Sequence, residues 1–146
     1  MLLERLLYLM DECNVDKAII VPVVAPASPD NNAQCASWAR EYPDRLATLT
    51  NVQLDEKDAT DQIVYARQQN NAVGISYYPS THNLSWLFEP SCDSIWSELQ
   101  ANELVCNLQI TAQNYPVLLR LGREHKQITF VANHLGLPSS LPADDI

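Results

Sequence analysis

The 146 residues carry nine basic and eighteen acidic side chains, a net charge of −9, with 47% hydrophobic and 18% charged content. That balance suits one globular domain with a sizeable core and excludes a disordered chain. No Lys/Arg cluster offers a footprint on phosphates, which argues against a nucleic-acid partner and against an anionic membrane surface.

Leu2, Leu3, Leu6, Leu7, Leu9 and Met10 recur at helical spacing over Leu2–Cys13. Glu4, Arg5, Asp11 and Glu12 interrupt this stretch, so it reads as neither a signal peptide nor a membrane span. Lys17–Val24 is a nearly continuous β-branched run and reads as a strand. After a loop with Ser28-Pro29-Asp30, Asn31–Glu41 reads as a helix ended by Tyr42-Pro43. Leu46–Val52 is the second strand. Glu56–Asn70 is a polar helix with Ala59, Ile63 and Ala66 on one face, and its acidic start opposes the positive dipole end. Ala72–Tyr78 is the third strand. A long loop, Ser80–Ser91, leads to a helix over Cys92–Asn102 with Ile95, Trp96 and Leu99 inward. Leu104–Ile110, helix Tyr115–His125 and strand Ile128–Asn133 follow, and the chain closes on a polar tail, Ser139–Ile146.

Near-continuous apolar strands alternating with amphipathic helices describe a parallel α/β sheet, covered on both faces or closed into a barrel. An open doubly wound sheet of five strands suits this length, whereas a full (β/α)8 barrel needs about 250 residues. Opening on a helix without a preceding strand, and ending on a strand, favours a partial TIM barrel of about five parallel strands within one domain, residues 1–146. Cys13, Cys35, Cys92 and Cys106 show no metal-site spacing and read as reduced, mostly buried thiols of a cytoplasmic protein.

In parallel α/β folds, chemistry gathers at the carboxyl ends of the strands. Asn51, Asn107, Gln109, Asn133 and His134 sit there, where burying an unpaired amide costs a few kcal/mol, roughly. As a group they point to a polar cavity; singly, each amide also suits a loop cap. His134 follows the fifth strand and precedes a Gly turn. Its imidazole suits a general base, a donor to a carbonyl or a metal ligand, and equally a structural histidine held by loop carbonyls. His82 lies in the loop on the same face. Tyr77 and Tyr78 are adjacent, so one alone faces inward; Tyr77 is taken as the substrate contact. Simple alternation sets His134 beside Ile128, Phe130 and Ala132, so a bulge is needed to turn it inward. His125 reads as a surface residue. Trp38, Trp86 and Trp96 read as packing. No G-x-S-x-G, Walker A, G-x-G-x-x-G or H-E-x-x-H is present.

The ordered set Asn107-Leu108-Gln109-Ile110, Tyr115–Leu121 and Ile128–Pro138 resembles strands five and six of the amidohydrolase-related barrels. The H-x-G-x-P of His134, Gly136 and Pro138 is its most specific part. Met10–Val21, Tyr42-Pro43-Asp44-Arg45-Leu46 and Ala72-Val73-Gly74-Ile75 resemble earlier units of the same barrel. The likeness is greatest to the branch with L-fuconolactonase and 2-pyrone-4,6-dicarboxylate lactonase.

The resemblance implies a hydrolase that directs water at a lactone, amide or related carbonyl of a small-molecule substrate. His134 corresponds to the strand-six histidine and is expected to polarise the carbonyl or orient the water. Gln109, Asn107, Tyr77, Asn51 and His82 are the expected substrate contacts. Some members hold one divalent metal, zinc or manganese; Gln109 stands where metal-binding members often place a histidine, and a neutral amide is a poor zinc ligand. No metal ligand is therefore assigned. Ser76 stands where an arginine often follows Gly-Ile. The family's strand-one H-x-H and strand-eight aspartate have no counterpart in this sequence. The expectation is thus a barrel without strand one and strands seven and eight, inactive alone and open to homo-oligomerisation through unpaired edges. The alternative is a non-catalytic α/β binding module.

Overall fold

The computed structural model describes residues 3–23, 31–80 and 83–136. Among them, helices and strands alternate as α1 (Leu3–Glu12), β1 (Ala18–Ile20), α2 (Asn31–Glu41), β2 (Leu46–Asn51), α3 (Ala59–Gln68), β3 (Gly74–Tyr77), α4 (Asp93–Ala101), β4 (Val105–Leu108), α5 (Tyr115–Glu124) and β5 (Phe130–Ala132). Short 3-10 turns occupy Ser85–Phe88 and Pro90–Cys92 between β3 and α4, Ala112–Asn114 before α5, and Asn133–Gly136 after β5.

All neighbouring strands pair in parallel, and their order in space is β1-β2-β3-β4-β5. This order decides between the two architectures. Right-handed crossovers between consecutive neighbours put every helix on one face; a doubly wound sheet reverses its order to cover both. The chain is therefore a half-barrel, with helices outside and a concave inner face.

Register and alternation sort the strand residues. Outward go Thr48 and Thr50, Ile75 and Tyr77, Cys106 and Leu108, Phe130 and Ala132. Ile75, Tyr77, Cys106 and Leu108 join Ile63, Ala66, Ile95, Trp96, Leu99 and Leu121 in the main core. Burial of such side chains contributes roughly 1.5–3 kcal/mol each before entropy is charged. A smaller cluster of Leu3, Met10 and Leu46 packs α1 and α2 on the first two strands, with Trp38 against it. The inner face carries Ile19, Ala47, Leu49, Gly74 and Val105. At Gly74 an added Cβ would lie 2.5 Å from the Val105 carbonyl oxygen and 2.9 Å from Leu49 Cδ2, so only glycine lets these strands meet. Towards the two edges this face is open: Ile19, Val23 and Val131 are exposed.

Asn14, Asn71 and Glu103 take positive φ just past α1, α3 and α4. In each case the next residue donates back into the helix: Val15 to Met10, Ala72 to Ala66 and Leu104 to Leu99. These left-handed caps turn the chain from helix into strand. Two are asparagine, which tolerates this region; Glu103 does not do so readily.

Candidate active site

The register aligns Asn51, Ser76 and Asn107 at one level across β2, β3 and β4. They face the concave side, because their neighbours Thr50, Ile75 and Leu108 face the helices. Asn51 Nδ2 donates to the Ser76 carbonyl at 3.2 Å, and Asn107 Nδ2 donates to Ser76 Oγ at 3.0 Å. Gln53 Nε2 donates to Asn51 Oδ1 at 2.8 Å. Asn32, in the first turn of α2, clamps the Asn51 backbone from both sides, accepting from its N–H at 2.8 Å and donating to its carbonyl at 3.0 Å. One strand further, Asn133 Nδ2 donates to Gln109 Oε1 at 3.2 Å. The sheet thus ends in a girdle of neutral polar side chains, in two hydrogen-bonded groups, Gln53-Asn51-Ser76-Asn107 and Gln109-Asn133. Ser76 and Asn107 are buried, while Asn51, Gln53, Gln109 and Asn133 are half-buried.

Past Ala132 the strand alternation breaks. His134, Leu135 and Gly136 have φ of 50°, 53° and 69°, three consecutive left-handed residues. The expected correction at this strand end is therefore a left-handed turn. Tyr115, which opens α5, holds it: its hydroxyl donates to the Leu135 carbonyl, and a Cβ on Gly136 would lie 2.5 Å from its ring. His134 itself is exposed at the tip of β5, and among the described residues no hydrogen bond or ion pair engages its imidazole.

Of the sequence-predicted contacts, Asn51, Asn107 and Gln109 come together on this face. Tyr77 does not. It alternates with inward-facing Ser76, so its ring lies in the outer core, 1% exposed and edge-on to Trp86 at 6.2 Å. Burial, reinforced by the Asp55 carboxylate, pushes its phenol far above the usual tyrosine range. His82 lies outside the described residues. His125 is not a plain surface residue: its ring stacks on Trp96 with centroids 4.9 Å apart. The residues missed were Ser76 and Gln53. Gln53 was within reach of alternation, two residues past Asn51. Ser76 was noted only as standing where the resembling barrels often place an arginine; its contact with Asn107 needed the register.

A cavity of about 490 Å³ opens elsewhere, between the first turns of α3 and α4, lined by Asp55, Lys57, Thr60, Ser80, Trp86 and Cys92. It shares no residue with the girdle.

Among the described residues no three His, Cys, Asp or Glu side chains come close enough to hold a metal ion. The girdle offers amides and one hydroxyl, which are weak donors for zinc. These residues by themselves do not form a divalent-metal cage, and no step is assigned to one. No described helix is long and apolar enough to cross a membrane.

The family model described as amidohydrolase matches residues 11–145. Comparison with curated proteins returned no match. Among solved structures, a probable 2-pyrone-4,6-dicarboxylic acid hydrolase from Acinetobacter baumannii, with citric acid bound, is 20% identical at a TM-score of 0.72, covering 92% of this chain and 48% of that one. A 2,6-dihydroxybenzoate decarboxylase from Rhizobium is 17% identical at 0.69, covering 93% and 57%. A 5-carboxyvanillate decarboxylase from Novosphingobium aromaticivorans, with bound manganese, is 18% identical at 0.68, covering 90% and 49%. The chain spans about half the length of the structures it matches. At these identities the likeness concerns the fold.

Proposed function

Since the chain belongs to the amidohydrolase family, we propose that it supplies one wall of a hydrolase active site that directs water at the carbonyl of a small molecule. The observation supporting this is the girdle. Five polar side chains, Asn51, Gln53, Ser76, Asn107 and Gln109, gather at the carboxyl ends of strands whose inner face is otherwise apolar. Burying polar side chains at a strand end is costly unless each is hydrogen-bonded, and a row of them turned to the concave face offers groups that a ligand can meet.

In this reading His134 donates from a ring N–H to the substrate carbonyl oxygen, drawing off the charge that develops as water adds to the carbon. The bond from that carbon to its oxygen or nitrogen leaving group then breaks, and the water proton ends on the leaving group. Asn107 and Gln109 hold the substrate. Members of this fold include hydrolases and decarboxylases, and lactone or amide hydrolysis is favoured here because the girdle suits a neutral carbonyl better than a carboxylate.

The test is a turnover panel of lactones, amides and aromatic carboxylates with the chain in its full-length form and the His134→Ala variant of that form. Loss of about 100-fold or more in kcat/KM is expected on removing the imidazole. Turnover unchanged in that variant removes the role given to His134. Carbon dioxide release from the aromatic acids replaces hydrolysis with decarboxylation. Binding without any turnover makes the chain a binding module.

A further inference from the structure

The ladder between β1 and β2 stops below the girdle, and a proline stops it. Ala18 donates to the Arg45 carbonyl at 2.9 Å, and the register carries that pattern forward two residues at a time. The donor facing the Leu49 carbonyl would be the N–H of residue 22, which is proline and has none. The Leu49 carbonyl takes the Thr48 hydroxyl instead, at 2.7 Å. Beyond this point β2 has no strand on its β1 side, just where its inner face turns polar.

Side chains from two helices take the strand's place. The Asn32 carboxamide meets both edge groups of Asn51, accepting from its N–H at 2.8 Å and donating to its carbonyl at 3.0 Å. A neighbouring parallel strand would make that same pair of bonds. Gln62 of α3 accepts from the Gln53 N–H at 3.0 Å, and its own Nε2 donates to Asp58 at 2.9 Å. Asn31 donates to the Val23 carbonyl at 3.1 Å, which ties the first turn of α2 to the chain leaving β1. These bonds satisfy an otherwise unpaired edge and fix the backbone from which the Asn51 and Gln53 side chains project.

We infer that Asn32 is a positioning residue: through the Asn51 backbone it aims the Asn51 carboxamide along the girdle, and a group in its place must accept and donate at once. The use of that placement in turnover rests on the girdle being ligand-facing, as proposed above; the placement itself does not.

The experiment is Asn32→Asp in the full-length form, a change of one nitrogen to oxygen. Ionised, the new carboxyl accepts from the Asn51 N–H but sets an oxygen against the Asn51 carbonyl; protonated, it donates there again. Near pH 7, roughly, the Asn51 backbone and Nδ2 resonances of the 15N-labelled protein should shift, and acidification through the titration of the new carboxyl should return them. Asp58 and Asp61 line a cavity with Asn32, so the parent is titrated in parallel to subtract their effect. Asn32→Ala removes both bonds and should shift the same resonances at every pH, with folding of both variants checked by the remaining amide spectrum. On the substrate panel above, Asn32→Asp should lose about tenfold or more in kcat/KM at neutral pH, mainly through KM, because Asn51 binds and does not react. Asn51 resonances indifferent to both variants, or unrestored by acid in Asn32→Asp, overturn the positioning role. Resonances that shift and return while turnover stays unchanged uphold it and overturn the ligand-facing reading at Asn51.

Discussion

Asn107 on β4 donates from Nδ2 to Ser76 Oγ on β3 over 3.0 Å, with both residues at 3% exposure or less. This bond joins two strands at the level where the inner face changes from apolar to polar. It makes the girdle a structural element of the half-barrel as well as its chemical edge.

Removing one partner leaves the other buried and unpaired. Asn107→Ala should destabilise the chain by about 1–3 kcal/mol in urea unfolding, and Ser76→Ala by less, since serine leaves a smaller void. The double variant should cost less than the sum, with a coupling of about 1 kcal/mol. Strict additivity would show that the two side chains do not act on each other.

The turn carrying His134 depends on glycine. Gly136→Ala places a methyl against the Tyr115 ring at a left-handed φ of 69°, and should cost about 1–3 kcal/mol. The His134 Hε1 resonance should shift in that variant. Tyr115→Phe removes only the hydroxyl bond to Leu135, and should move the same resonance with a smaller loss of stability. A His134 signal indifferent to both changes would show that Tyr115 does not position the turn.

Glu103 caps α4 at a φ of 53° without being glycine. Glu103→Gly should therefore raise stability by about 0.5–1 kcal/mol, the left-handed penalty relieved minus the entropy glycine adds to the unfolded chain. Asn71→Gly should gain less, since asparagine already tolerates this region. Thermal unfolding of the two variants side by side checks the order.

Buried thiols set an alkaline limit. Burial pushes Cys106 up to about 12 and also raises Cys35 and Cys92, while Cys13 is exposed. A group whose folded pKa lies above its unfolded one binds its proton longer when folded. Between about pH 9 and 12 the unfolded chain loses that proton first, so stability falls as pH rises, by at most about 1.4 kcal/mol per pH unit for Cys106. Below pH 9 this effect vanishes. In thiol labelling near pH 8, Cys13 should react fast and Cys106 only on unfolding; equal rates would contradict its burial.

Much of the fold was legible because helices and buried strands carry different hydrophobic periods. The face of α3 formed by Ala59, Ile63 and Ala66, and that of α4 formed by Ile95, Trp96 and Leu99, are buried as their spacing requires. Strand ends were less legible: among the described residues of the run Lys17–Val24 only Ala18–Ile20 pair, because pairing needs a neighbouring strand and apolarity alone does not supply one. The amides Asn51, Asn107 and Gln109 were visible as polar residues ending apolar runs. Tyr77 was misplaced because choosing between two adjacent tyrosines requires knowing which face the strand turns inward.

The sequence by itself determined the α/β alternation, the neutral character of the strand tips and the position of His134 after the fifth strand. These follow from local composition and period. Tertiary structure alone decided that the strands run in consecutive spatial order, that Ser76 aligns with Asn51 and Asn107, and that the chain turns left-handed at His134. Strand order and register are relations between distant segments. A one-residue slip would exchange the inner and outer faces without altering any local pattern.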